Sequence, residues 1–148
     1  MSSTVTFYQQ IRYENTSTGQ RDPIGSLNVP ITLSLSGDTY LDNTFSIGTG
    51  TTKEILRCGT SAGDDIAAFT FLYIRSDKDV KIEFLGGGTA ANNSNLYLVA
   101  NTPFVLWSDN TLTYNASGGF AGSASDIQKI NVSNGSGSTA TLRIFAAN

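Results

Sequence analysis

Residues 67–85, AAFTFLYIRSDKDVKIEFL, decide the fold class of this chain. Residues 80–85 alternate apolar and charged side chains, which is the period of a strand with one buried and one solvated face. Residues 67–74 are apolar on both faces, which predicts a central strand or one covered by a partner. Because a short polar segment, residues 76–79, joins the two runs, we expect them to form a β-hairpin.

The same pattern extends outward along the chain. Apolar and polar residues alternate over residues 29–35, and short β-rich runs occupy residues 96–100 and 103–107. The last two runs, within residues 127–144, flank Asn134-Gly135, a pair that favours a tight turn with positive φ angles, so we expect a second hairpin there. Since no segment has a helical period, the sequence predicts an all-β antiparallel β-sandwich, jelly-roll-like, of about ten short strands.

A polar stretch, ENTSTGQRDP at residues 14–23, separates the N-terminal segment from the rest. We expect residues 1–23 to form a strand or extended arm followed by this polar loop, and residues 24–148 to form a single β-sandwich domain. The N-terminus has no basic region followed by an apolar run, so we predict no secretory signal. The apolar side chains of the arm are candidate contacts to a partner: Val5, Phe7, Tyr8, Ile11 and Tyr13.

Composition narrows the classes of function. The 148 residues have a formal net charge of −3 and only 14 % charged residues. The sequence has no cluster of Lys and Arg, which a nucleic-acid-binding surface requires, and no apolar run long enough to span a membrane. We therefore expect neither nucleic acid nor a membrane as a partner.

Catalytic chemistry has few candidates. The chain has no histidine and one cysteine, Cys58, so it lacks the commonest general base and zinc ligand. Residues 59–63, GTSAG, match the G-x-S-x-G nucleophile elbow, but that motif needs a histidine and a following helix. We interpret it as a turn of small residues, and Cys58 as a buried structural thiol. We predict that the protein is not an enzyme and has no catalytic, cofactor-binding or metal residues.

The aspartates fall in expected turns, where Asp accepts hydrogen bonds from the nearby backbone. Asp77-Lys78-Asp79 does not supply the ligand spacing of a calcium loop. A cation held by Asp64, Asp65 and a further turn stays open as an alternative.

The aromatic residues allow two interpretations. Trp107 ends a short strand, where a tryptophan is expected to bury its ring and hydrogen-bond its indole N–H. If the ring were exposed beside Asp109 and Asn110, Trp107 could form a glycan-binding platform with Tyr97 and Tyr114 on neighbouring strands. Exposed aromatic rings would equally suit a protein–protein interface.

The chain ends in INVSNGSGSTATLRIFAAN, residues 130–148, and is rich in Thr, Ser, Asn and Gly while poor in Cys and His. In its composition and in the spacing of its short strands, the chain resembles virion accessory proteins of tailed bacteriophages, and among these it is most similar to capsid decoration (cement) proteins. The resemblance implies a β-sandwich or jelly-roll body, often a homotrimer, made in the host cytoplasm and bound to the capsid surface. There it would stabilise the shell by bridging subunits of the major capsid protein, with residues 1–13 as the bridging contact.

A carbohydrate-binding module, or the receptor-binding tip of a phage fibre, is the competing class. Trp107 discriminates between the two, because an exposed ring favours sugar binding and a buried ring favours the scaffold. A tail-tube or adaptor role is a variant of the first class.

Overall fold

The computed structural model describes residues 4–8, 11–15, 20–24, 30–34, 39–59, 61–67, 69–86, 94–107 and 127–148. Within these ranges the protein is all-β, and no helix capable of crossing a membrane occurs in them. The strands are β1 (Thr4–Tyr8), β2 (Ile11–Asn15), β3 (Gln20–Ile24), β4 (Pro30–Ser34), β5 (Tyr40–Ile47), β6 (Thr52–Arg57), β7 (Phe71–Ser76), β8 (Val80–Gly86), β9 (Ser94–Leu98), β10 (Pro103–Trp107), β11 (Ile127–Ser133) and β12 (Ala140–Ala147).

The chain divides into two units, Met1–Gly37 and Asp38–Asn148. The second unit contains β5 to β12 in two antiparallel four-stranded sheets that pack against each other. Sheet A has the order β10-β7-β12-β5, and sheet B has the order β6-β11-β8-β9. The predicted β-sandwich is therefore confirmed.

Strand pairing in this unit is nested. β5 pairs with β12, β6 with β11, β7 with β10 and β8 with β9, so the first strand meets the last and the two middle strands meet each other. Two further ladders join these pairs into four-stranded sheets: β7 with β12 in sheet A, and β8 with β11 in sheet B. This is the jelly-roll topology that the sequence pattern suggested. The inner position of β7 between β10 and β12 confirms that the apolar run near residues 67–74 contributes a central strand.

The interior lies between the sheets and is built from alternate positions of each strand. In β12 the side chains of Ala140, Leu142, Ile144 and Ala146 are fully buried, whereas Thr141 and its odd-numbered neighbour Arg143 are exposed. Sheet B supplies the facing side chains, among them Ile55, Leu56, Val80, Ile82, Phe84, Ile130 and Val132. Removal of this apolar surface from water is the main favourable term that holds the two sheets together.

Both predicted hairpins are wrong. β7 belongs to sheet A and β8 to sheet B, so residues 77–79 connect the sheets instead of turning within one. β11 and β12 are likewise in different sheets. The error has a physical cause, since a period of two identifies the inward side chains and is the same whether two strands pair or face each other across the interior.

Two aspartates, Asp77 and Asp79, hold the β7–β8 connection in place. The Asp77 carboxylate accepts a hydrogen bond from the backbone N–H of Thr141 (2.6 Å), and Asp79 accepts one from the N–H of Ala100 (2.7 Å). We expected both carboxylates to bond within their own turn, but their donors lie on distant segments. They therefore attach the β7–β8 connection to its neighbours.

Asn134 organises the second connection, residues 134–139. Its buried side-chain amide donates to the carbonyls of Ile47 (2.8 Å) and Ser138 (2.9 Å), and its Oδ1 accepts from the N–H of Ser136 (2.9 Å). Neither Asn134 nor Gly135 has the positive φ expected for a two-residue turn. Asn134 instead acts through its side chain, which joins the β11–β12 connection to the end of β5.

The N-terminal unit contains two nested antiparallel ladders. β1 pairs with β4, and β2 pairs with β3 between them in sequence. Candidate arm residues Val5, Phe7 and Tyr8 thus lie in β1, and Ile11 and Tyr13 in β2, in paired strands and not in a single extended segment.

The expected polar loop over residues 14–23 is wrong where β2 and β3 occupy it, and its residues 16–19 lie outside the described ranges. The sequences of these strands are polar and gave no alternating signal. The boundary between the units falls after Gly37 and not after residue 23.

Replacement of Asn134 tests the role of this side chain. We expect Asn134→Ala to lower the free energy of unfolding by about 2–4 kcal/mol, because the buried carbonyl of Ile47 and the partly buried bonds to Ser136 and Ser138 would lose their partner. Urea denaturation followed by circular dichroism measures the change. Asn95→Ala, on an exposed position of β9, is the matched control and should change stability by less than about 0.5 kcal/mol. Equal effects of the two substitutions would contradict this role.

Candidate functional site

The outer face of sheet A carries the most distinctive surface of the second unit. Strand register places its outward residues in rows that cross all four strands. One row contains Tyr40, Ala147, Phe71 and Trp107, the next contains Asp42, Phe145, Tyr73 and Val105, and the third contains Thr44, Arg143, Arg75 and Pro103. Aromatic side chains therefore concentrate at one end of the face and arginines lie beside them.

We call the six large aromatic and apolar side chains of the first two rows the aromatic band: Tyr40, Phe71, Tyr73, Val105, Trp107 and Phe145. Tyr40 is 67 % exposed, Trp107 42 % and Val105 38 %. Tyr73 and Phe145 are half-buried, and Phe71 is buried. Four strands spaced about 4.8 Å apart make the band roughly 14 Å wide.

Contacts between rings hold three members of the band, Tyr40, Phe145 and Phe71, in place. The rings of Tyr40 and Phe145 stack with a centroid distance of 6.2 Å and an interplanar angle of 25°. Phe145 also meets Phe71 edge to face at 6.0 Å. Because these side chains stand on hydrogen-bonded strands and contact one another, they lose little further conformational freedom on binding a partner.

Polar groups border the band. The Arg143 guanidinium donates two hydrogen bonds to the Asp42 carboxylate, at 3.1 Å and 2.9 Å. This pairing lowers the pKa of Asp42 and raises that of Arg143, in both cases chiefly through the hydrogen bond. Arg75 forms no ion pair within the described ranges, and it lines a hollow of about 210 Å³ together with Tyr73 and Arg143.

The outer face of sheet B differs in character. Its charges pair with one another: Lys81 with Glu83, and both Arg57 and Lys129 with Glu54. The Glu83 hydrogen bond raises the pKa of Lys81. Paired and solvated charges of this kind need no partner, whereas aromatic residues and arginine are enriched at binding surfaces.

Two of the candidate aromatic residues, Trp107 and Tyr97, lie on different sheets. Trp107 lies on β10 in sheet A, Tyr97 lies on β9 in sheet B, and Tyr114 lies outside the described residues. Trp107 is partly exposed and not buried, contrary to our expectation, because the inward positions of β10 belong to Phe104 and Leu106.

Only Trp107 among the members of the band was a candidate from the sequence, although the sequence contained a signal for two more. The run at residues 67–74 is apolar on both faces, and its outward residues Phe71 and Tyr73 are the centre of the band. Assigning Tyr40 and Phe145 to the same surface required the pairing of β5 with β12, which a single sequence does not reveal.

Residue 59 and residues 61–66 follow β6, and no helix follows them in the part of the chain that the structure describes, so the context of a nucleophile elbow is not present there. Asp64 accepts a hydrogen bond from the backbone N–H of Ser61 (2.7 Å), and Asp65 accepts one from the N–H of Arg57 (2.8 Å). A side chain at Gly59 would clash with the Asp64 carboxylate. In the described part of the chain, no three carboxylate, Cys or His side chains gather as a metal site would require.

Cys58 follows β6 and is half-buried. Burial, and then the negative charges of Asp65 and Asp64, raise the pKa of its thiol to about 12. The thiol is therefore protonated at neutral pH and is a poor nucleophile.

Comparison with known proteins gives little beyond this geometry. No protein-family model matches the chain, and no curated protein matches it. Among solved structures, the chain is similar to the solution NMR structure of a de novo designed double-stranded beta-helix, at 14 % identity and a TM-score of 0.39. The match covers 72 % of this chain and 97 % of the design, and at this score we infer nothing from it.

The raised pKa of Cys58 predicts slow alkylation. At pH 8 we expect the thiol of the folded protein to react with iodoacetamide at least about 100-fold more slowly than that of the chain unfolded in urea, where the pKa is about 8.5. Between about pH 8.5 and 12 the Cys58 thiol keeps its proton in the folded state and loses it in the unfolded state. The free energy of unfolding therefore falls as the pH rises from about 8.5 towards 12. Mass spectrometry of quenched samples gives both rates, and similar rates would contradict the assignment.

Proposed function

We propose that this protein is a structural component of a phage virion, which binds the outer surface of a capsid lattice and stabilises it by bridging major capsid subunits. The aromatic band on sheet A carries the proposal, because Tyr40 and Trp107 are exposed on a sheet face that also presents Arg75 and Arg143. Tyr, Trp, Phe and Arg are enriched in protein interfaces and supply most of the binding free energy there.

The mechanism would be interface burial repeated over a lattice. A specific contact covers about 800 Å² on each partner. A homotrimer would present three such contacts, so that modest individual affinities combine into strong retention. Bridging then resists separation of capsid subunits, because both must leave the same bound protein.

Two substitutions on the band test this function. In co-sedimentation with empty shells of the major capsid protein, we expect Tyr40→Ala combined with Trp107→Ala to weaken binding at least 10-fold, since both exposed rings would be lost. Tyr97→Ala removes an exposed tyrosine from sheet B and should leave binding unchanged. Circular dichroism establishes that each variant is folded.

The same assay can show whether the N-terminal unit, and not sheet A, makes the contact with the shell. If deletion of residues 2–36 abolishes binding while the band variant binds as the unmodified protein does, the contact belongs to the N-terminal unit and the proposal for sheet A is wrong. The deletion leaves β5 to β12 and their whole interior intact.

Carbohydrate binding, as in the receptor-binding tip of a fibre, is the second candidate, and the partial exposure of Trp107 favours it. A glycan stacked on this ring would shift or quench the fluorescence of the single tryptophan. Titration with host-surface polysaccharide measures that change, with Trp107→Phe as the control for signal. A saturable change without binding to shells would favour this candidate, and an unchanged spectrum would exclude it for the polysaccharide used.

A further inference from the structure

The outer face of sheet B contains a groove of about 540 Å³ that is separate from the aromatic band. Register places Ser133, Lys81 and Tyr97 in one row across β11, β8 and β9, and all three residues line the groove. Gly135 and Ser136 of the β11–β12 connection also line the groove, as do Asp79 and Val99. Its volume lies within the range of small-molecule sites, roughly 300–1,000 Å³.

Two exposed large apolar side chains border this groove. Tyr97 is 79 % exposed and Val99 63 %. Lys81 is half-buried, with its ammonium paired to Glu83, so its aliphatic stem also contributes apolar surface. The groove is thus a concave apolar surface beside one accessible aromatic ring.

Polar groups at the rim are fixed in position. Asp79 uses Oδ1 to accept from the N–H of Ala100, which orients the carboxylate and leaves Oδ2 without a protein donor among the described residues. The Ser133 hydroxyl pairs with that of Thr52 at 2.7 Å and retains acceptor capacity. Hydrogen bonds from Asn134 hold the β11–β12 connection, so Ser136 and Gly135 form a stable wall.

This combination selects for one class of ligand. A wholly apolar molecule would leave the Asp79 carboxylate and the Ser133 hydroxyl desolvated without partners, which is costly. A pyranose ring has an apolar C–H face and a rim of hydroxyl groups, and it matches both the Tyr97 ring and the polar groups around it.

We propose that this groove is a monosaccharide-sized carbohydrate site, in which a pyranose stacks on Tyr97 and hydrogen-bonds to Asp79 and Ser133. The site is independent of the capsid contact proposed above, because it lies on the other sheet. A virion-bound molecule attached through sheet A would present this groove away from that contact.

The experiment is a titration of the full-length, isotope-labelled protein with a panel of simple pyranosides, read by amide chemical shifts. The panel contains the methyl glycosides of glucose, galactose, mannose and N-acetylglucosamine, each added to about 50 mM, a concentration suited to millimolar binding. We expect at least one sugar to shift the amides of residues 79–81, 97–99 and 133–136 in a saturable way.

Two variants make the result decisive. Tyr97→Ala should weaken the binding at least 10-fold, whereas Tyr40→Ala, which removes an exposed tyrosine from sheet A, should not change it. The absence of shifts with every sugar, shifts confined to sheet A, or undiminished binding by the folded Tyr97→Ala variant would each overturn the proposal. None of these outcomes bears on binding to shells, so the two proposals fail separately.

Discussion

The pairing of β12 with both β5 and β7 is the constraint on which the second unit depends. β12 is the only strand of sheet A that connects β5 to the β7–β10 pair, and four of its side chains are fully buried between the sheets. The same ladders bring Tyr40, Phe145 and Phe71 together on the outer face. One strand therefore supplies interior packing with its even positions and the centre of the aromatic band with its odd positions.

The sequence was sufficient for the fold class and insufficient for strand connectivity. Alternation at residues 80–85 identified Val80, Ile82 and Phe84 as interior residues, and the structure buries all three. The same alternation could not distinguish a hairpin from a crossing between sheets, because both bury the same side chains. The Asp77 and Asn134 side chains hold those crossings through hydrogen bonds to distant backbone groups, and such partners are not visible in a local pattern.

The candidate site was predictable only in part, for the same reason. Trp107 could be singled out as a residue whose exposure would matter, but its neighbours on the surface come from β5, β7 and β12 and depend on non-local pairing. Tyr97 was grouped with Trp107 because the two residues were expected to lie on neighbouring strands. The structure separates them onto different sheets, and this separation gives each face its own chemistry, an aromatic band with arginines on sheet A and a groove among paired charges on sheet B.

If the proposed function is correct, the outer face of sheet A is covered when the protein is bound to a capsid lattice. Hydroxyl-radical footprinting of free and shell-bound protein tests it directly, because Tyr and Trp side chains are oxidised according to their accessibility. We predict that oxidation of Tyr40 and Trp107 falls when the protein binds to shells, while oxidation of Tyr97 is unchanged. Equal oxidation of Tyr40 and Trp107 in both states, or protection of Tyr97 alone, would contradict it.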